Sequence, residues 1–296
     1  MHLNGVFIAD GFAEAFGMRA TRLVITADTI DWARRAAESL TGFATSVIGC
    51  GCEAGIEQEL PEAATPDGRP GIAVLIFAAS SADLAKQVPL RVGQSVLTCP
   101  GTAVYSGLDA PEHVDVGARL RYFGDGHQIA KRLGGERFWR IPVMDGEFLC
   151  VHRAGMVRAV GGGNFLLLGA TRAAAREAAE RAVLAMRALP NVILPFPGGV
   201  VRSGSKIGSK YKGLIASTND AYCPTLRATA DGALPPEVES VLEIVIDGLA
   251  DTDIAAAMRA GIQAACQPDS GLVAIDAGNY GGKLGKFQFK LRQVLA

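Results

Sequence analysis

One carboxylate stands inside an apolar stretch in the last quarter of the sequence. Glu243 is the only polar residue in the segment 241–246 (VLEIVI). In a strand, side chains alternate between the two faces, so Glu243 shares a face with Val241 and Val245. A carboxyl group in a dry environment has a raised pKa and can exchange a proton near neutral pH. Alternatively, Glu243 lies on an edge strand, where it faces water or pairs with a basic side chain.

Two glycine-rich segments share an asparagine followed by an aromatic residue, at 161–165 (GGGNF) and 278–283 (GNYGGK). Glycine lets backbone N–H groups approach a ligand oxygen, an amide can orient a polar ring edge, and an aromatic ring can stack. Two tight turns with a left-handed asparagine are the alternative. We predict as substrate-binding residues Gly163, Asn164, Phe165, Asn279, Tyr280 and Lys283.

Two further polar segments could bind a ligand. The segment 203–210 (SGSKIGSK) lacks the Gly-Lys-Ser/Thr order of a phosphate loop, but its lysines could hold a carboxylate or phosphate. An exposed basic loop is the alternative. The segment 218–224 (TNDAYCP) concentrates polar and aromatic groups, as loops that line sites often do. The predicted substrate-binding residues here are Ser205, Lys206, Asn219, Asp220 and Tyr222.

Other kinds of site are disfavoured by the residue spacing. The segment 49–55 (GCGCEAG) fits G-x-G-x-x-A, but Pro61 leaves little room for the helix that dinucleotide binding needs, so a glycine-rich turn is favoured. The four histidines are scattered, and no second Cys/His pair complements Cys50 and Cys52, so we expect no metal site. No G-x-S-x-G motif or nucleophilic cysteine motif is present, which argues against covalent catalysis.

The pattern of elements repeats in the two halves of the chain. Propensities and caps predict strands at 21–27, 43–48, 71–77 and 95–99 around helices at 30–40 and 82–94. The second half has strands at 164–169, 192–194, 241–246, 272–275 and 286–291 around helices ending near 189 and at 253–266, the latter capped by Thr252. We therefore predict an α+β protein of two ferredoxin-like α/β sandwich lobes, each a split β-α-β unit. Only four long helices are visible, which disfavours a single doubly wound sheet. Turn residues near 142–146 place the predicted boundary between lobes 1–146 and 147–296.

Composition limits the classes of partner and compartment. The chain has 296 residues, 49% of them hydrophobic, and a net charge of −1. About two domains fit this length, and no basic excess is present for nucleic acid or an anionic membrane. We expect no membrane span because no apolar run reaches 18 residues. Six dispersed cysteines and no secretory leader predict reduced thiols in the cytoplasm.

Along its whole length the sequence resembles the formylmethanofuran:tetrahydromethanopterin formyltransferase family. The segments that carry this resemblance are 41–48 (TGFATSVI), 162–165 (GGNF), 195–199 (PFPGG), 217–224 (STNDAYCP) and 278–285 (GNYGGKLG). The resemblance implies two ferredoxin-like lobes, with the N-terminal one expected to be the proximal lobe and the C-terminal one the distal lobe. It implies an acyltransferase that moves a formyl group between N5 of tetrahydromethanopterin and the amine of methanofuran. Both coenzymes act as co-substrates, without a metal or tightly bound cofactor.

The resemblance also implies residue roles and partners. The family's catalytic carboxylate falls on Glu243, which would move a proton between the two amines. Members are homo-oligomers, with a tetramer expected here. The nearly neutral charge resembles the branch found in methylotrophic bacteria, where the protein is one subunit of a formyltransferase/hydrolase complex and an amidohydrolase releases formate. The alternative is a non-catalytic subunit that binds the coenzymes or serves as a scaffold.

Overall fold

The computed structural model describes residues 1–230, 232 and 234–296. Its helices are α1 (Ile30–Thr41), α2 (Val47–Cys50), α3 (Ser81–Arg91), α4 (Gly117–Leu120), α5 (Arg172–Arg187), α6 (Asp251–Ala265) and α7 (Leu291–Leu295). Its strands are β1 (His2–Leu3), β2 (Val6–Ile8), β3 (Phe12–Thr26), β4 (Thr45–Ser46), β5 (Cys52–Leu60), β6 (Gly71–Ala78), β7 (Ala103–Ser106), β8 (Glu112–Asp115), β9 (Ile129–Leu133), β10 (Glu136–Val143), β11 (Gly146–Val151), β12 (Arg153–Gly169), β13 (Val192–Ile193), β14 (Lys206–Ile207), β15 (Ala216–Ser217), β16 (Ser240–Gly248), β17 (Leu272–Asp276) and β18 (Phe287–Lys290). Among the described residues, no helix is both long and apolar enough to cross a membrane.

The chain divides into two compact units. One, here called the middle unit, is Met18–Ala159, and the other, the terminal unit, joins Met1–Gly17 to Val160–Ala296. The long strands β3 and β12 each contribute residues to both units. The turn near 142–146 closes the β10–β11 hairpin inside the middle unit, where Val143 pairs with Gly146. The predicted lobe boundary at 146/147 therefore lies inside the middle unit, and it stays a prediction.

The middle unit has the element order β3-α1-β5-β6-α3-β7, which is the order of a split β-α-β unit. Its sheet runs β5–β6–β3–β7 with all three pairings antiparallel. Strand β6 is buried along its whole length, and α1 and α3 pack against it. Strand β11 adds to β7 in parallel, and β10 and β9 continue the sheet.

The terminal unit repeats this order with β12-α5-β13-β16-α6-β17. Strand β12 pairs antiparallel with β16 and with β17, and β13 pairs with β16. On one face of β16, Ile244 and Ile246 are fully buried in the core that also contains Met258 of α6. Because side chains alternate along a strand, Glu243 lies on the opposite face. This sheet therefore carries a helix-covered face and a second face that bears Glu243.

The structure corrects two predictions around the glycine-rich segment 49–55. Only β4 in the predicted strand 43–48 is extended, because Val47 begins the helical turn α2. The Ser46 side chain caps this turn by accepting the Ile48 N–H, and the Glu53 carboxylate accepts the Val47 N–H at 3.0 Å. Strand β5 begins directly afterwards, so the segment is partly strand rather than a turn alone.

The predicted strand 95–99 is also wrong. Helix α3 continues past Pro89 into a π-helical turn at Val92–Val96, in which the Leu97 N–H donates to the Val92 carbonyl. A π turn lets the chain continue as a helix with a wider repeat. The closing strand of this unit is β7.

Helix α6 begins earlier than its predicted cap, Thr252. The helix starts at Asp251, and the Asp253 carboxylate accepts the Ala250 N–H at 3.0 Å. A carboxylate in the first turn is favourable at the positive end of the helix dipole.

Candidate active site

Glu243 lies in the middle of β16 with both of its backbone groups paired. Leu166 of β12 is its partner on one side, and Val201 forms an antiparallel bridge on the other. No described residue makes a hydrogen bond or ion pair with its carboxyl group. Burial raises the pKa of Glu243 to about 7. At neutral pH this group is therefore close to equally divided between acid and carboxylate, as a proton-transfer group requires.

Glu243 borders a small open cleft within the terminal unit. The cleft is also lined by the predicted residues Asn219 and Tyr222, by Leu166 and by Gly204. Gly204 has φ +58°, and a Cβ there would lie 3.2 Å from the Asn219 Cβ. A glycine is therefore needed where the two polar loops approach each other.

The loops around the cleft are joined by an ion pair. Lys206 Nζ donates to Asp220 Oδ2 at 2.5 Å, and Lys206 lowers the pKa of Asp220. Lys206 begins the β14–β15 ladder, in which it pairs with Ser217. The two polar segments singled out in the sequence therefore meet, with Lys206 paired to a carboxylate of the protein itself.

Tyr222 is fixed by a hydrogen bond from its hydroxyl to Asp276 Oδ2 at 2.7 Å. Burial and the neighbouring carboxylate raise the pKa of the phenol, so it remains a donor. Tyr222 belongs to the 3₁₀ turn Asp220–Tyr222, and Asp276 ends β17. This bond ties the turn beside the cleft to the central sheet of the unit.

Asn164 joins the two glycine-rich segments. Its Oδ1 accepts the Gly278 N–H at 2.6 Å, and its Nδ2 donates to the Gly278 carbonyl at 3.0 Å and to the Gly162 carbonyl at 3.2 Å. Its relative exposure is only 7%. The amide is thus used to hold the second segment in place, and the two segments are close in space.

Tyr280 is a half-buried residue between the cleft loops and β3. Its ring lies 6.0 Å from the ring of Phe16, centroid to centroid. Burial raises the pKa of its phenol, interaction with Ser205 lowers it, and the charges of Glu243 and Glu14 raise it. The charges of Glu243 and Glu14 therefore both act on this phenol.

Four predicted residues lie elsewhere. Phe165 is fully buried in the core, where its ring faces α6, so its side chain is not available for stacking on a ligand. A Cβ at Gly163 would collide with Ile254, which makes close packing the reason for this glycine. Asn279 is exposed and accepts the Gly281 N–H at 3.0 Å, and Lys283 is exposed.

One residue was missed. Glu14, with 1% exposure, accepts four backbone N–H groups from the second glycine-rich segment. The pattern that revealed Glu243 could have revealed Glu14 too, because Glu14 also interrupts an apolar strand (FAEAF, 12–16).

The arrangement places a proton-transfer group beside a polar cleft. Glu243 can take and return a proton near pH 7, and Asn219 lines the same cleft. An amide or backbone donor can stabilise the oxyanion of a tetrahedral intermediate.

Family models match both halves of the chain. Residues 1–143 match the model described as formylmethanofuran-tetrahydromethanopterin formyltransferase, and residues 146–294 match the one described as "FTR, proximal lobe". The name proximal lobe thus belongs to the C-terminal half, the reverse of the labels expected from the sequence.

Known proteins of the same length are similar to this chain from end to end. The formylmethanofuran–tetrahydromethanopterin formyltransferase of Methylococcus capsulatus is 61% identical, with 100% of both chains covered. A chain of the formyltransferase/hydrolase complex of Methylorubrum extorquens, whose crystal structure contains methylofuran, matches with a TM-score of 0.98 and 53% identity over 100% of this chain and 99% of that one. The formyltransferase of Methanosarcina barkeri matches with a TM-score of 0.94 and 46% identity, covering 99% of this chain and 100% of that one. The chain therefore belongs to the formylmethanofuran–tetrahydromethanopterin formyltransferase family.

Proposed function

We propose that this protein transfers a formyl group between N5 of tetrahydromethanopterin and the amine of methanofuran, with Glu243 as general acid and base. Family membership supports the reaction, and the observation that carries the mechanism is the Glu243 carboxyl. It borders a cleft, has no ion-pair partner among the described residues, and has a pKa raised by burial to about 7. Both coenzymes are co-substrates in this proposal, with no further bound group taking part.

The proposed reaction proceeds by direct transfer. The neutral acceptor nitrogen attacks the formyl carbon, forming a C–N bond and a tetrahedral oxyanion, while the Glu243 carboxylate takes the proton from the attacking nitrogen. The C–N bond to the donor nitrogen then breaks, and Glu243 returns the proton to that nitrogen. Glu243 starts and ends as a carboxylate, so the same residue serves both directions.

The loops of the cleft position the coenzymes in this proposal. Asn219 and Tyr222 line the cleft directly, and the charge of Glu243 acts on the Tyr280 phenol. Asn219 lines the cleft and carries a neutral amide, and we propose it as the donor to the oxyanion. The Lys206–Asp220 pair holds the two loops together.

We further propose that the protein works in an assembly. The similar chain from Methylorubrum extorquens is part of a formyltransferase/hydrolase complex. By analogy, we infer a partner amidohydrolase that hydrolyses the formylated carrier, and a homotetramer of the present chain. A cytoplasmic location remains a prediction. In the alternative function, the chain binds coenzyme or acts as a scaffold without catalysing transfer.

The test is a formyl-exchange assay with purified protein and both coenzymes. Formyl-tetrahydromethanopterin is mixed with methanofuran, and both formylated products are followed by chromatography, with and without co-purified subunits. We expect exchange by the isolated protein. Coenzyme binding without exchange under both conditions would support the scaffold instead.

A further inference from the structure

We propose that the buried Glu14 carboxylate is a positioning residue of the active site, which holds the second glycine-rich loop (residues 278–285) and with it Tyr280. The loop follows Asp276, whose carboxylate holds Tyr222 of the cleft. This inference deepens the proposed formyl transfer and rests on it. Glu14 does not line the cleft, so it acts through the loop rather than on substrate.

The contact between Glu14 and the loop is extensive. Oε2 accepts the N–H groups of Tyr280 and Gly282, both at 2.8 Å. Oε1 accepts those of Leu284 and Gly285, at 2.6 and 2.5 Å. Burial opposes ionisation of Glu14, but these four backbone donors keep its pKa below its usual value. A single carboxylate thus accepts hydrogen bonds from four of the eight backbone N–H groups of the loop.

The loop depends on this carboxylate because of its conformation. Gly281 and Gly282 have φ values of +73° and +72°, so the chain turns sharply here and four of the loop's N–H groups point inward to the Glu14 carboxylate rather than toward a strand partner. A Cβ at Gly285 would collide with the Ala15 carbonyl, which shows how closely the loop lies on β3. Without an acceptor at Glu14, these inward N–H groups would be left unpaired.

The same strand fixes Tyr280 at two points. Glu14 holds its backbone N–H, and Phe16 contacts its ring, with centroids 6.0 Å apart. Glu14 and Phe16 are two residues apart and so share a face of β3. Both the backbone and the ring of Tyr280 are therefore held from β3.

A carboxylate suits this role better than an amide. Glutamine offers one acceptor oxygen, and its NH₂ group would face the remaining N–H donors. Glu14→Gln is close to the same size but loses the acceptor for two of the four donors. Glu14→Asp keeps both oxygens and the charge on a shorter side chain.

The test is a double-mutant cycle in the full-length protein with Glu14→Gln, Tyr280→Phe and the double variant. We expect Glu14→Gln to lower kcat by about tenfold to a hundredfold, as a small misplacement of an active-site group does, with KM much less affected. In the Tyr280→Phe background Glu14→Gln should change kcat by no more than about twofold. Independent, multiplicative effects in the double variant would overturn the proposal, and so would an unchanged kcat in Glu14→Gln.

Hydrogen exchange provides a readout that needs no activity. Glu14→Gln should speed exchange in residues 278–286, and Tyr280→Phe should not. The matched control is Glu53→Gln, since Glu53 is a buried glutamate (9% exposed) of the middle unit that accepts one backbone N–H. The control should leave kcat and this exchange unchanged. If Glu14→Gln does not fold, Glu14→Asp replaces it.

These readouts separate the two proposals. An inactive wild-type protein contradicts the proposed function. The exchange data then decide the Glu14 proposal alone, because unchanged protection of residues 278–286 would overturn it.

Discussion

Glu243 and Val201 exchange two backbone hydrogen bonds. The Glu243 N–H donates to the Val201 carbonyl at 2.9 Å, and the Val201 N–H donates to the Glu243 carbonyl at 2.7 Å. Leu166 of β12 is paired with Glu243 on the other side of the strand. The main chain of Glu243 is therefore fixed from both sides, and its carboxyl group reaches the cleft without needing a side-chain partner to orient it.

Replacing Glu243 by glutamine should preserve the fold and lower kcat by about 10²–10⁴, the usual contribution of general acid–base catalysis. The amide has nearly the same shape but cannot carry the proton. Steady-state formyl exchange and far-UV circular dichroism measure the two effects. Glu239→Gln is the matched control, because Glu239 is exposed just before the same strand. Turnover at the wild-type rate in Glu243→Gln would remove this residue from the mechanism.

The pH dependence of activity should report the same group. Glu243 must start as a carboxylate in both directions of transfer, and burial raises its pKa to about 7. We expect kcat/KM to fall as the pH is lowered through about 7, with this limb missing in Glu243→Gln. Comparing the two proteins over pH 5–9 (a range of about four units around this pKa) removes the coenzymes' own titration. If kcat/KM falls at low pH in the same way in both proteins, a group other than Glu243 causes the fall.

The stability of the protein should depend on pH in a particular direction. The pKa of Glu243 is about 7 in the folded chain against an ordinary value of 4.5, so between these values the folded state binds more protons than the unfolded state. The free energy of unfolding therefore falls as pH rises through this window. Above pH 7, Glu243→Gln should be more stable than wild type by up to about 3 kcal/mol, since each pKa unit corresponds to 1.36 kcal/mol. Urea unfolding at pH 5 and 8 tests this; equal stability at pH 8 would show that ionising Glu243 does not strain the fold.

Much of this architecture was predictable because its signals are local. The alternation around Glu243 placed it on the face away from Ile244, and the structure agrees. Helix caps are local in the same way, because the Thr29 and Thr171 side chains each accept the backbone N–H three residues ahead at the start of α1 and α5.

The remaining features depend on distant partners. Glu14 accepts hydrogen bonds from residues that lie about 270 positions further along the chain, and no local pattern encodes such a pairing. Phe165 is an aromatic residue that could stack on a ligand, but the alternation of side chains along β12 directs its ring into the core. The turn α2 forms where β-branched residues favour a strand, because Ser46 and Glu53 supply its N–H groups with acceptors.

Tyr222→Phe should loosen the turn beside the cleft. It removes the 2.7 Å hydrogen bond to the Asp276 carboxylate and leaves that oxygen without its donor. We expect the free energy of unfolding to fall by about 1–3 kcal/mol, the range for a bond to a charged group. Tyr211→Phe is the control, since Tyr211 is 76% exposed. Equal stability of both variants would show that water replaces the phenol.

The assembly state can be measured directly. Half of the residues are apolar (49%) in a chain of two small lobes, which have much surface for their volume. We expect a homotetramer of two dimers, a common closed symmetry. With a net charge of −1, association should not require high salt. Light scattering at micromolar protein in low salt is the check, and a fully active monomer would contradict the tetramer.

Replacing Asn164 tests whether its amide holds the second glycine-rich loop in place or binds a coenzyme. Its amide exchanges two hydrogen bonds with Gly278, at 2.6 and 3.0 Å, so Asn164→Ala leaves the Gly278 N–H without a partner, whereas the Gly278 carbonyl still accepts the Glu14 N–H at 3.3 Å. We expect the free energy of unfolding to fall by about 1–3 kcal/mol, the usual cost of one unpaired buried group. Asn279→Ala, at the exposed end of the same loop, should change it by about 1 kcal/mol or less. Urea unfolding of both variants, together with KM for each coenzyme, decides between the roles. A stable Asn164→Ala protein with a raised KM would restore the ligand contact that the sequence predicted, whereas a loss of stability with little change in KM assigns the amide to the loop.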